Sequence, residues 1–162
     1  MKDEKRVNTT EYAIATIDSN LEREFIGAAV MVASNYVQLR LGSLLADHYR
    51  KKYGKIWEEL AELFRDGNWF NLLDTAKKLN LLDREEREKL GALFTTRNNA
   101  AHKTVLWKQP DEENEKERKL RSEAREHCEN AKAFLHRTRH VEHEHDSQTS
   151  DDHGLASGKE TQ

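Results

Sequence analysis

At 162 residues, with 36% hydrophobic and 35% charged side chains, the chain has material for one modest core and not for two. One proline and seven glycines leave too few turn formers for hairpins or sandwiches, so an all-α helical bundle is expected. The net charge of −3 comes from interspersed acids and bases, which excludes a broad basic face, and the single cysteine, Cys128, excludes an internal disulfide and a cysteine-based zinc cluster.

Residues 1–8 are polar and are expected to be a flexible N-terminus, without the apolar stretch of a signal peptide. The most apolar run, FIGAAVMVASNYV, is too short to span a bilayer. A soluble cytoplasmic protein with no membrane contact is therefore expected, its lone thiol suited to a reducing compartment. The helical domain should occupy residues 9–140. Thr9 and Thr10 before Glu11 mark a helix start, and EYAIATID reads as a first short helix. From Leu21 onward, Phe25, Ala28, Ala29, Val32, Tyr36, Leu39, Ser43 and Ala46 recur at three- and four-residue steps. They trace one stripe of a helix of about 30 residues, roughly 45 Å, ending near Tyr53 and Gly54. The small residues Gly27, Ala28, Ala29, Ala33 and Ser34 let another helix approach closely, from the same chain or from a second protomer.

KIWEELAELFRDGNW and NWFNLLDTAKKLNLL read as two further short helices separated by the turn signal Asp66-Gly67-Asn68. DREEREKLGALFTTRNN opens with Asp83 and carries Glu86 three residues on, the pattern of a capping box. Leu90, Leu93, Phe94 and Arg97 share one side of that helix. Pro110 marks a stop, and a last, heavily charged helix should run from about Asp111 to about His140. Its apolar contact is left to Leu120, Ala124, Cys128, Ala131, Phe134 and Leu135. Residues 141–162 contain almost no apolar side chains and are expected to be a disordered tail.

Within LFTTRNNAAHKTVLW, residues 93–107, Arg97 and His102 stand five apart with Asn98 and Asn99 between them. On an unbroken helix they lie about 140° apart in projection, whereas Asn98 and His102 lie nearly over one another. They can act together if the helix frays at His102, or if two copies face each other across a twofold axis. Histidine can exchange a proton with a ribose 2′-hydroxyl or a leaving oxygen, and arginine can stabilise the charge that develops on phosphorus. Those groups suit phosphodiester cleavage in RNA without a metal or other cofactor, with DNA inert for want of the 2′-hydroxyl. The bland alternative is an arginine bridging to a carboxylate and a histidine closing a helix end.

RNNAAH resembles the R-x4-6-H motif of the HEPN superfamily, in its four-spacer form with a polar residue directly after the arginine. The order of elements over roughly residues 10–140 is similar as well. The resemblance implies a helical bundle that forms a homodimer with a composite site, and a metal-independent endoribonuclease leaving a 2′,3′-cyclic phosphate. It also implies a place among toxins or defence proteins, some with an antitoxin protein as partner. Arg97 would be the transition-state cation, His102 the acid or base, and Asn98 a supporting polar residue. Lys103 and Asn99, with Lys108 nearby, could contact the RNA beside the groove. In one branch a tyrosine two places after the histidine is modified to silence the toxin; here Thr104 stands there, so that control is not expected. Other members are inactive dimerisation or binding modules, which is the alternative function.

Two further constellations compete. His136 and His140, four apart, could share a zinc or nickel ion with His143 and His145, but with no apolar shell around them a solvated tail is the preferred reading and no metal is expected; His127 and His153 belong to the same crowd. Trp57, Trp69 and Trp107 with Phe64, Phe70 and Phe94 could stack bases, against the simpler reading as core. Asp47 and His48 on the long helix have no assignable neighbour from sequence.

Overall fold

A computed structural model of the chain describes residues 9–54, 68–100, 104–107 and 114–139. These form five α-helices and one short 3-10 turn, with no strand among the described residues. Helix α1, Thr9–Glu22, is longer than the segment expected and buries Thr10, Ala13, Ile17 and Leu21 at helical spacing.

The helix expected to run on from Leu21 is broken. Leu21 belongs to α1, and α2 begins at Ile26 and runs 28 residues to Tyr53. Between them Glu24 takes a left-handed backbone conformation with φ 61°, while Phe25 N–H donates to the Asn20 carbonyl and Glu24 N–H to the Leu21 carbonyl. That is a Schellman ending, usually built on glycine. Here the unusual residue is held by its side chain: Arg121 and Arg125 both donate to the Glu24 carboxylate.

The buried face of α2 also differs from the expected stripe. Ile26, Ala29, Val30, Ala33, Val37, Leu41, Leu44 and Leu45 are buried, whereas Leu39 is 60% exposed and Ser43 faces solvent. The helix is apolar on more than one side, so periodicity alone could not choose the face; docking of α1 and of the helices over 84–100 and 115–137 did. Gly54, with φ 68°, ends the helix by donating to the Arg50 carbonyl, where the sequence pattern located its end.

Helix α3, Trp69–Lys78, starts at Asn68, whose side chain accepts from Phe70 N–H. Asn80, at φ 57°, closes it in a second Schellman ending. Helix α4, Arg84–Ala100, begins with the capping box read from the sequence: Asp83 accepts from Glu86 N–H at 2.7 Å, and Glu86 accepts from Asp83 N–H at 3.3 Å. Helix α5, Glu115–Arg137, starts four residues later than expected, because Asn114 is extended and forms its own capping box with Glu117. Its buried stripe of Ala124, Cys128, Ala131, Phe134 and Leu135 agrees with the sequence reading. Leu120 is partly buried against the same core. Burial pushes the Cys128 thiol up to about 12, as suits a core residue rather than a reactive one.

Cross-helix contacts fix the directions. Thr10 at the start of α1 accepts from buried Arg40 in the middle of α2, so the two helices are antiparallel. Ion pairs of α5 and the turn after it step down α1 in reverse order: Arg125 with Glu24, Lys132 with Asp18, and Arg139 with Glu11. The cations are seven residues apart, two helical turns, so one edge of α5, continued into the turn after it, supplies all three. Arg137 meets Glu86 at the start of α4 and His127 meets Thr96 near its end, so α4 and α5 are antiparallel as well. Helix α2 packs against every other element and is the spine that the sequence pattern suggested.

Among the described residues, no helix is long and apolar enough to cross a membrane. The expected N-terminal segment 1–8, the helix over 55–67 and the tail 141–162 lie outside the described residues.

Candidate active site

The first four residues of the motif, Arg97 to Ala100, occupy the last turn of α4. Leu90, Leu93 and Phe94 are buried and set the rotation of this helix on the core. Trp69, at the start of α3, stacks on Phe94 with centroids 4.1 Å apart and planes 24° apart. One helical turn beyond Phe94, the Arg97 guanidinium carbon lies 5.2 Å from the Trp69 ring centroid. The result is a layered column of Phe94, Trp69 and half-buried Arg97. Among the described residues Arg97 forms no ion pair, in contrast to Arg84, Arg87, Arg121, Arg125, Arg137 and Arg139, each paired with a carboxylate. A guanidinium held over an indole by a cation–π contact keeps its charge and its forked N–H donors, two of which can serve one oxyanion.

Asn98 is exposed and Asn99 half-buried on the same turn. Ala100 is buried, and its carbonyl accepts a 2.9 Å hydrogen bond from Trp107 Nε1. Trp107 belongs to the 3-10 turn Thr104–Trp107, and its indole lies against Gly27 of α2, where a Cβ would come within 2.7 Å of two ring carbons. Glycine is required there for close approach. Trp107 is nonetheless 54% exposed, so it is neither the core residue nor the free stacking platform considered from sequence. His102 and Lys103, and with them Lys108, lie outside the described residues, as do Trp57, Phe64 and His140.

One histidine near the motif was misgrouped by sequence. His127, counted with the C-terminal crowd, sits on α5 with Nδ1 2.8 Å from Thr96 Oγ1, directly before Arg97 in the chain. Partial burial lowers its pKa, against the raising influence of Glu126 and Glu123, which favours the neutral ring. The signal was present: His127 lies three residues after buried Ala124 and four before buried Ala131, on the stripe facing the bundle. His136 is exposed near the end of α5, and His48 stands edge-on to Tyr49 late in α2. No group of three or more His, Cys, Asp and Glu side chains converges in a metal-holding arrangement among the described residues. No family model matches the chain, and no curated protein or solved structure is significantly similar to it.

Proposed function

We propose that the chain is a metal-independent endoribonuclease of the HEPN type, acting as a homodimer in the cytoplasm with Arg97 and His102 of both copies around one groove. The observation that carries this reading is Arg97: a guanidinium in the last turn of the motif helix, backed by Trp69 and paired with no carboxylate among the described residues. A structural arginine in a chain this rich in acids normally takes a carboxylate. One left with open donors is suited to a phosphate.

In the reaction, the ribose 2′-oxygen attacks the adjacent phosphorus as its proton passes to a histidine. The bond from phosphorus to the 5′-oxygen then breaks, and that oxygen takes a proton from a histidine acting as acid. The products are a 2′,3′-cyclic phosphate and a 5′-hydroxyl. His102 serves the proton transfers, Arg97 stabilises the charge on the non-bridging oxygens, and Asn98 supports them through its amide. Asn99 and Lys103 contact the flanking RNA. DNA is not a substrate, because it lacks the attacking oxygen. A toxin or defence role, with or without an antitoxin partner, follows from the same resemblance.

The second reading is a non-catalytic dimerisation or binding module. It is favoured by the pairing of basic side chains of α5 with carboxylates inside the bundle, which leaves less positive charge for a polyanion. Incubation of the full chain with a labelled structured RNA in excess EDTA, beside His102→Ala, separates the two. Cleavage by the wild type alone with cyclic phosphate ends supports the nuclease; intact RNA in both, across several substrates, supports the module.

A further inference from the structure

The last two turns of α2 read His48-Tyr49-Arg50-Lys51-Lys52-Tyr53. Cations at a helix C-terminus offset the partial negative charge of the last carbonyls, which accounts for three basic residues in the final turn. It does not account for the tyrosines. Tyr49 and Tyr53, one turn apart, stack with centroids 5.8 Å apart and planes inclined by 19°, and Tyr53 is half exposed. His48 meets Tyr49 edge-on at 5.7 Å, and Lys52 Nζ lies 5.2 Å from the Tyr53 centroid. Arg50, Lys51 and Lys52 are all exposed.

In a chain whose charges are otherwise interspersed, this patch joins aromatic faces and successive cations in solvent. Single-stranded nucleic acid asks for both: a flat apolar surface for unpaired bases and positive charge for the phosphates beside them. We infer that this basic and aromatic end of α2 is a contact surface for single-stranded RNA, with Tyr53 stacking a base and Lys51 and Lys52 meeting phosphates. This rests on the nuclease reading for its substrate class and adds a second point of contact to it. The patch is remote from the motif. Gly27, beside Trp107, and Tyr53 are separated along α2 by roughly 39 Å at about 1.5 Å per residue. A strand with bases stacked about 3.4 Å apart covers that distance in about a dozen nucleotides, so the surface acts on long substrates and not on short ones.

The test uses the full chain and an unstructured, fluorescein-labelled 2′-O-methyl RNA of about two dozen nucleotides, which cannot be cleaved, with binding read by anisotropy over a range of salt. Lys51→Gln with Lys52→Gln should lower the slope of log K against log salt by about 1.4, the contribution of two single-strand phosphate contacts. Tyr53→Ala should weaken binding at least about fivefold, and Tyr53→Phe, which keeps the ring, should restore it. Unchanged helical circular dichroism accompanies both expectations. No binding by the wild type, an unaltered slope in the lysine variant, or equal affinity for a duplex of the same length overturns the inference. Binding that depends on the patch, alongside no cleavage of ordinary RNA, overturns the nuclease reading and leaves the surface standing.

Discussion

At the elbow between α1 and α2, Arg121 and Arg125 both grip the Glu24 carboxylate, and the Arg121 side chain is only 5% exposed. At the end of α4, Arg97 rests on the face of Trp69 and meets no carboxylate among the described residues. The two regions are neighbours. Gly27, three residues past Glu24, receives the ring of Trp107, which holds the carbonyl of Ala100. The same residue type therefore serves two ends at one end of the bundle. Where the guanidinium is held by a carboxylate, it fixes backbone; where an indole supports it, no carboxylate among the described residues takes its donors. The elbow, through Gly27 and Trp107, is the anchor for the end of the motif helix.

Arg97→Ala gives the sharpest test of that contrast. On the proposed nuclease reading, RNA cleavage should fall about 10²- to 10³-fold, as when a preorganised donor to developing charge is removed. Stability should fall only by about 0.5–1 kcal/mol, the worth of an exposed cation–π contact. Equal losses of activity and thermal stability would make Arg97 structural and erase the difference between the two regions.

Glu24→Gln should behave in the opposite way. It removes the Glu24 carboxylate from buried Arg121 and from Arg125, at a cost of about 2–3 kcal/mol by chemical denaturation, below the figure for a fully buried pair because Glu24 is partly exposed. The wild type should also show an acid limb that the variant lacks. The hydrogen bond from Arg125, then that from Arg121, holds the Glu24 carboxyl below its ordinary 4.5, with desolvation opposing. Its contribution is present above pH 4.5 and is lost as pH falls through the lowered folded value. An unchanged midpoint at low pH would show that the clamp contributes nothing.

Gly27→Ala probes the link between the regions. The new Cβ would lie 2.7 Å from the Trp107 ring and must displace it, breaking the indole bond to Ala100. A destabilisation of about 1–2 kcal/mol is expected, with a red-shifted tryptophan emission as the indole moves into water. An unshifted spectrum would mean that the turn is not anchored there.

The smallest effect belongs to His127. Burial lowers its pKa, so the neutral ring stabilises the fold above the ordinary histidine value of 6.5, and that contribution declines as pH falls through the lowered folded value. His127→Asn should remove this shallow dependence between pH 7 and 5 while leaving stability at pH 8 within about 1 kcal/mol. A wild-type slope retained in the variant would assign the dependence to another group.

Local signals carried most of the secondary structure. The Asp83–Glu86 capping box, the stop at Tyr53 and Gly54, and the thin apolar stripe of α5 were legible because each is decided by residues within one or two helical turns. The α5 start was misjudged because an acidic run has no apolar period, and only Asn114 with Glu117 marks the cap. The break at Glu24 was not legible, since glutamate gives no sign of a left-handed residue and its two arginines lie about a hundred positions away. For the candidate site, the sequence supplied Arg97 and the asparagines on a helix end; it did not supply Trp69 beneath Arg97 or His127 beside Thr96.

The sequence by itself determined an all-α chain, the capping box that starts α4, and the placing of Arg97 and its two asparagines in the last turn of that helix, because helix periodicity and capping are short-range. Tertiary structure alone decided which face of α2 is buried, which carboxylate holds which arginine, and that Arg97 lies over the Trp69 indole. Those choices depend on contacts between residues distant in the chain, where several pairings satisfy the same local pattern and only packing of the whole bundle selects one.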